Sequence, residues 1–384
     1  MIYAFSNSIL YICFAIIIGA SILSIIPKDH RPELQLPKTL IKGSTLLVPI
    51  VSLVPVLELA GGINVYRDES FMASLMYVWL HLETGKAWLV LALLSLLFIV
   101  LLSLKVRQSV IFGAGLMIAL GMIVTQGVVG HSANMGSFPG AAAHIFHLVS
   151  VSSWAGVLLI VSWFSVSDRH WKEFIDWFTF LALGCIVILT FTGLFMTFLL
   201  NENLVDSWVL TYGQALLLKH LLYVPLLLFA CINGFLIKQK MRHNHSFSPR
   251  SWWRAESLIL ISIFTVTGFL TEKEPAHNIS QTLRGEEPSI LFRTFTSISA
   301  GAEPHLVIQP SVISLLFLAV GGVFLFLIFY AFQQNSSPAA ALSIAGLAII
   351  SVYFGLMSAL SIGEEATLGV WNYEALDILT KIVA

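Results

Sequence analysis

Charge is the first thing this sequence lacks. Only 11% of its 384 residues are Asp, Glu, Lys or Arg, while 57% are hydrophobic and the mean hydropathy is +0.88. A water-soluble domain carries roughly 25% charged residues. So much apolar surface cannot be hidden in a soluble core, and the solvent that fits it is lipid. A net charge of −1 leaves no basic excess for binding nucleic acid. Cysteine is scarce as well. Cys13, Cys185 and Cys231 stand far apart in apolar runs with no Cys-x-x-Cys, and they read as small buried residues. Enzyme signatures are missing. There is no GxxxxGK[ST], no HExxH, no GxSxG and no Asp-Lys-Thr phosphorylation run, so no catalytic activity is expected. The N-terminal segment has no Lys or Arg before its apolar core and no small-x-small cleavage site. It reads as a retained first span.

What is present is a series of apolar runs, each about 20 residues long, the length that crosses a bilayer as a helix. The expected fold is an all-α, polytopic transmembrane bundle. Its spans are Tyr3–Ile26, Gly43–Ala60, Ala87–Leu104, Val110–Val129, Ala143–Ser165, Trp177–Leu200, Trp208–Ile237, Trp252–Thr271, Ser311–Phe332 and Ala339–Ile362. Alternate connectors collect thirteen Lys and Arg on one side against six on the other. The positive-inside rule then places both termini outside the cytoplasm. Residues 1–129 form an N-terminal group of helices, 130–275 a central core, and 276–384 an outer loop with two further helices.

Between the spans, FMASLMYVWLH at Phe71–His81 is expected to lie along the interface or to start span three. Glu272–Gln309 reads as a polar loop without a core of its own. Trp79, Trp88, Trp208, Trp252 and Trp253 read as belt anchors at the membrane surface. Pro49, Pro55 and Pro225 fall inside spans and should kink them.

Polar side chains inside a bilayer are costly, so they are functional candidates. The densest set is in GVVGHSANMGSFPGAAAHIFHLVSVSSWAGVLL. His131 is expected just past the end of span four, and Met135 in a Gly/Pro-rich turn. His144 and His147 share a face at the start of span five. Trp154 lies two turns below His147. Three imidazoles and a thioether would converge near the outer surface, a donor set that suits copper as Cu(I) or Cu(II). Met72, Met76, His81, Met196, His277 and His305 are further outward candidates. The plain alternative is that each His near an interface is a hydrogen-bonded amphipathic residue and each Met packs. Lys219 and His220 sit in span seven as candidate pathway residues, with Glu58 as a partner for Lys219 by depth. His243 and His245 read as part of a solvated basic loop.

Several of these segments, taken in order, resemble the CopD family of bacterial copper-resistance and copper-uptake membrane proteins. They are GHSA at Gly130–Ala133, HLVSVSSWAGVLL from His147, TYGQALLLKHLL at Thr211–Leu222 continuing to Asn233, and RAESLILISIFTVTGFL from Arg254. TGKAWLVLALL at Thr84–Leu94 resembles an upstream segment of the family more weakly. The chain has Trp-Ala-Gly-Val at Trp154–Val157 where the family has Trp-x-Gly-Gly. The resemblance covers about half the chain and leaves out the last two spans. It implies a copper handler in a bacterial cell membrane, served by an extracytoplasmic copper chaperone of the CopC type. It also implies outward copper contacts that fall here on His131 and His147.

The resulting expectation is copper transport, in the import direction, through an outer His/Met site. Two other classes compete with it. A membrane b-type haem protein would use His147 and His220 as axial ligands. A structural subunit would only dock a partner through the long outer loop.

Overall fold

Ten helical segments long and apolar enough to cross a bilayer occur among the described residues. The computed structural model describes residues 2–201, 203–243, 247–273, 279–285, 287–296 and 305–363. The side chains of His131, Asn134 and Ser137 lie outside that description, as do His245 and His277. In chain order the helices are α1 Ile2–Ile25, α2 Lys38–Val51, α3 Val54–Arg67, α4 Phe71–His81, α5 Glu83–Ser103, α6 Gln108–Gly127, α7 His131–Phe164 and α8 Trp171–Leu200. Then come α9 Thr211–Cys231, a π-helical bulge at Ile232–Leu236, α10 Ile237–His243, α11 Arg250–Glu272, α12 Ile279–Gly285, α13 Ile290–Arg293, α14 Val312–Gln333 and α15 Pro338–Met357. The second crossing is α2 and α3 together, broken at Ser52–Leu53 with Pro55 in the first turn of α3. There the missing N–H of proline costs no helix bond.

The N-terminal helix forms the centre of the bundle. α1 is strongly apolar and carries not a single charge, and it packs against α2, α6, α7 and α11. Its crossing with α7 is close: Gly19 and Gly156 meet backbone to backbone, leaving no room for a Cβ on either. In lipid, where apolar surface gains nothing from leaving its solvent, this small-residue contact supplies the dispersion that holds helices together. α14 and α15 form a hairpin on the outside of the bundle, touching α9 and α11.

The two faces of the bundle are tied differently. On the basic face, Lys238 pairs with Asp176 and Arg250 Nη2 donates to Asp168 Oδ1 at 3.2 Å. Lys240 Nζ donates to the Phe332 carbonyl that ends α14, at 3.0 Å. On the opposite face, the Ala4 amide donates to Glu272 Oε2 at 3.1 Å. The segment between α11 and α14 is not a plain loop, as the sequence suggested. It carries α12 and α13, and a strand β1, Leu306–Ile308, that pairs antiparallel with β2, Leu360–Ile362. Phe292 and Leu306 are buried beneath it against Val209.

Three of the five tryptophans expected at the membrane surface are in the core instead. Trp208, Trp252 and Trp253 are buried. Trp253 sits among Trp171, Phe174 and Phe178 at ring distances of 5.6, 5.2 and 5.3 Å, and Trp252 lies 5.0 Å from the Phe332 ring. Neighbouring helices cover them, and ring packing replaces the lipid contact. Trp79 and Trp88 remain partly exposed and stack on each other at 5.8 Å.

Candidate functional site

His144 and His147 stand on the first turns of the α7 crossing, on the face opposite the basic one. The stretch before them is helical from His131 onward, where the sequence suggested a turn holding Met135. Yet the run is not straight. A straight helix would separate Gly130 from His144 by about 21 Å, but a Cβ on Gly130 would run into the His144 ring. Likewise Gly140 lies against the carbonyl of Ser132. The chain therefore folds back sharply near Pro139, the kind of residue at which helices kink, and the membrane crossing proper begins at Phe138. The fold-back returns the start of α7, including the backbone of His131, to the neighbourhood of His144. Met135, on the short returning stretch, is half exposed.

His147 turns toward α8. Its Nδ1 is 3.0 Å from Thr192 Oγ1, and its Cε1 lies beneath Gly193. Thr192 already donates to the Ile188 carbonyl at 2.7 Å, so the Thr oxygen is the acceptor and His147 Nδ1 carries the proton. That leaves Nε2 as the ring's lone-pair nitrogen. Among the described residues no three His, Cys, Asp or Glu side chains are grouped closely enough to hold a metal ion. The His131 side chain is not among them.

The other outward candidates are scattered. Met72 and Met76 are exposed on α4, which packs on α3 and α5, and His81 stacks on Tyr77 at 4.9 Å. Met196 is half-buried on α8. His305 lies 3.8 Å from Asp206.

Lys219 is partly buried on α9 and makes no ion pair with Glu58, which is exposed on α3. α3 and α9 are not among the helix pairs that pack extensively on each other, so the pairing that depth alone suggested is not formed. The Lys219 ammonium instead lies within electrostatic range of His147 and His220. The His220 ring bonds to its own helix through Nδ1, 2.8 Å from the Leu216 carbonyl, and is exposed on the side of the bundle.

Glu256 is not among the candidates that the sequence pointed to. This carboxylate is 2% exposed on α11. Its Oε2 accepts from Asn233 Nδ2 at 2.5 Å, and Asn233 also donates to the Trp252 carbonyl at 3.3 Å. Asn233 belongs to the π-helical bulge. Beside the pair is a cavity of about 190 Å3, lined also by Trp154 and Trp253. Trp154, seven residues below His147, thus links the two regions along one helix. An acid inside span eight was the available signal, because intramembrane carboxylates are costly.

Residues 1–141 match the family described as copper resistance protein D-like, N-terminal domain, and residues 172–270 match copper resistance protein D. The copper transport protein CutJ of Bacillus subtilis (strain 168) is 26% identical over 204 residues, covering 50% of this chain and 38% of that protein. The chain therefore spans about two fifths of that relative's length. No solved structure matches. Lys219, Asn233 and Glu256 fall within the second matched range, whereas His144, His147 and Trp154 lie between the two.

Proposed function

This chain belongs to the CopD family of copper-resistance membrane proteins, and we propose on that premise that it carries copper across a bacterial cell membrane. The ion is accepted at the face opposite the basic one, by His131, His144 and His147 with Met135 at the rim. One observation carries the choice of site: the fold-back at Pro139 returns the start of α7 to the His144 ring. Imidazole and thioether are donors that copper accepts readily. The thirteen-to-six distribution of Lys and Arg supports an outward-facing site with both termini extracytoplasmic. Ligands gathered at the outer end favour import, and an extracytoplasmic chaperone of the CopC type is the partner that would deliver the ion.

The test is copper retained by the purified protein. His131→Ala and His147→Ala should each lose most of it and His144→Ala less. The His131/His147 double variant should be scarcely worse than the worse single, because ligands of one ion act as a unit. Copper held by both single variants as by the parent rules the site out. A red preparation with a Soret band would assign the histidines to haem instead. A reporter fused at Ala384 that is active only in the cytosol would reverse the orientation.

A further inference from the structure

The buried Glu256 has no place in copper capture at the outer face. It lies toward the basic end of the bundle, below Trp154, and among the described residues no Lys, Arg or His forms an ion pair with it. An unpaired charge in such a place costs several kcal/mol or more, so a carboxylate there either stays protonated or is offset by an arriving cation. The groups around it are unevenly satisfied. Asn233 Oδ1 is a buried acceptor without a donor, and the indole N–H groups of Trp154 and Trp253 are buried donors without an acceptor. The Trp154 N–H faces the carboxylate without reaching normal hydrogen-bond geometry. Orphaned donors and acceptors on one cavity suit water, which serves both. A space of about 190 Å3 has room for several molecules at ~30 Å3 each. The wall nearest the acid is the π-helical bulge, an irregularity that recurs at functional sites.

We propose that Glu256 is a proton-exchange site: its carboxylic acid releases a proton into the cavity when a cation enters the bundle, and recovers one when the cation leaves. The O–H bond of the acid breaks, the proton passes to water, and the carboxylate left behind offsets the charge of the cation. No electron moves, and copper keeps its oxidation state. Among the described residues, the only other titratable group lining the cavity is the Cys231 thiol. Of the helices packed around it, α9 carries Lys219 and His220, both more than ten residues before Asn233 and toward the opposite face of the bundle. Asp176 of α8 pairs with Lys238, and Arg254 donates to the Ser162 carbonyl of α7 at 2.9 Å while stacking on Trp163. α1, which packs on both α7 and α11, carries no charged residue or histidine. The part concerning copper rests on the transport reading above; the proton site itself does not.

Infrared difference spectroscopy of the purified protein in lipid tests it. The wild-type protein should show the C=O stretch of a protonated carboxylic acid that Glu256→Gln removes and Glu256→Asp shifts. The band should diminish on raising pH and on adding Cu(I). Wild-type proteoliposomes should release protons upon copper addition, and Glu256→Gln should not, although it still binds copper at the outer site. The proposal falls if the band is absent, if it ignores pH, or if Glu256→Gln releases protons as wild type does. It falls equally if a co-purified lipid chain fills the cavity and the band never responds. A band that titrates in a protein that neither binds nor moves copper would keep the proton site and remove the copper reading.

Discussion

The imidazole of His144 rests against the backbone of Gly130, across a sharp fold in what is otherwise a single helical run. Gly130 has φ −75° and ψ 162°, a conformation open to any residue, so its lack of a side chain matters only for space. Gly130→Ala should therefore fold normally while pushing the His144 ring away from the start of α7. If the ring belongs to a copper site there, affinity should fall by roughly ten-fold, about 1.4 kcal/mol. Equilibrium copper binding to the variant decides it, with thermal stability as the control. Unchanged affinity would mean that His144 packs without ligating.

His147 offers a second handle. Its Nδ1 proton is held by Thr192 Oγ1 at 3.0 Å, which fixes the tautomer and leaves Nε2 for a metal. Outer partners of this kind are worth about 10- to 100-fold in metal affinity. Thr192→Val should cost that much, and Thr192→Ser should restore it. Acidification acts in the same direction. A protonated imidazole cannot ligate, so copper should be held at neutral pH and released as the pH falls. Titrating bound copper against pH in the parent and Thr192→Val checks both, and identical curves would remove His147 from the site.

The spans were legible in the sequence because hydrocarbon thickness dictates their length, and ten apolar runs became ten crossings. The errors came where tertiary contacts override local signals. Gly and Pro between His131 and Pro139 read as a turn. The chain makes helix there and concentrates the reversal near one residue, since a backbone near lipid must satisfy its own hydrogen bonds. Trp252 and Trp253 carry an interfacial signature, yet aromatic neighbours on other helices cover them. Lys219 and Glu58 share a depth, but depth says nothing about which side of a bundle a helix occupies. Glu256 was visible as an intramembrane acid, whereas Asn233 beside it depends on a bulge that no local pattern announces.

Lys219 has no ion-pair partner among the described residues and lies in electrostatic range of His147. An ammonium at that depth costs a few kcal/mol, and it would repel a copper ion held below the outer site. Lys219→Met should insert and fold as the parent does and bind copper at least as tightly. Copper accumulation in cells should nevertheless fall several-fold, because the positive charge helps drive the ion off His147. Parent-level accumulation would reduce Lys219 to a residue that reaches toward the interface along its apolar stem.

The segment between α11 and α14 is fastened through Asp206. This carboxylate is buried at the turn before α9, where its Oδ1 accepts from the Leu306 amide at 2.6 Å and its Oδ2 lies 3.8 Å from the His305 ring. Through Leu306 it holds β1, and through β1 it holds β2 at the end of α15. The bond closes a contact between residues 100 positions apart in sequence, so no local interaction can replace it. Asp206→Ala leaves the Leu306 N–H buried without an acceptor, a loss of about 1–3 kcal/mol. Because α9 and α11 do not depend on this bond, the loss should appear locally. Cleavage by an added protease between residues 279 and 308 should become faster, while the melting of the helices and copper binding at the outer site stay near the parent values. Asp206→Asn keeps an acceptor oxygen and should restore most of the protection. If Asp206→Ala resists protease as the parent does, the pairing of β1 with β2 holds that segment without Asp206. If copper binding collapses as well, the segment belongs to the copper site.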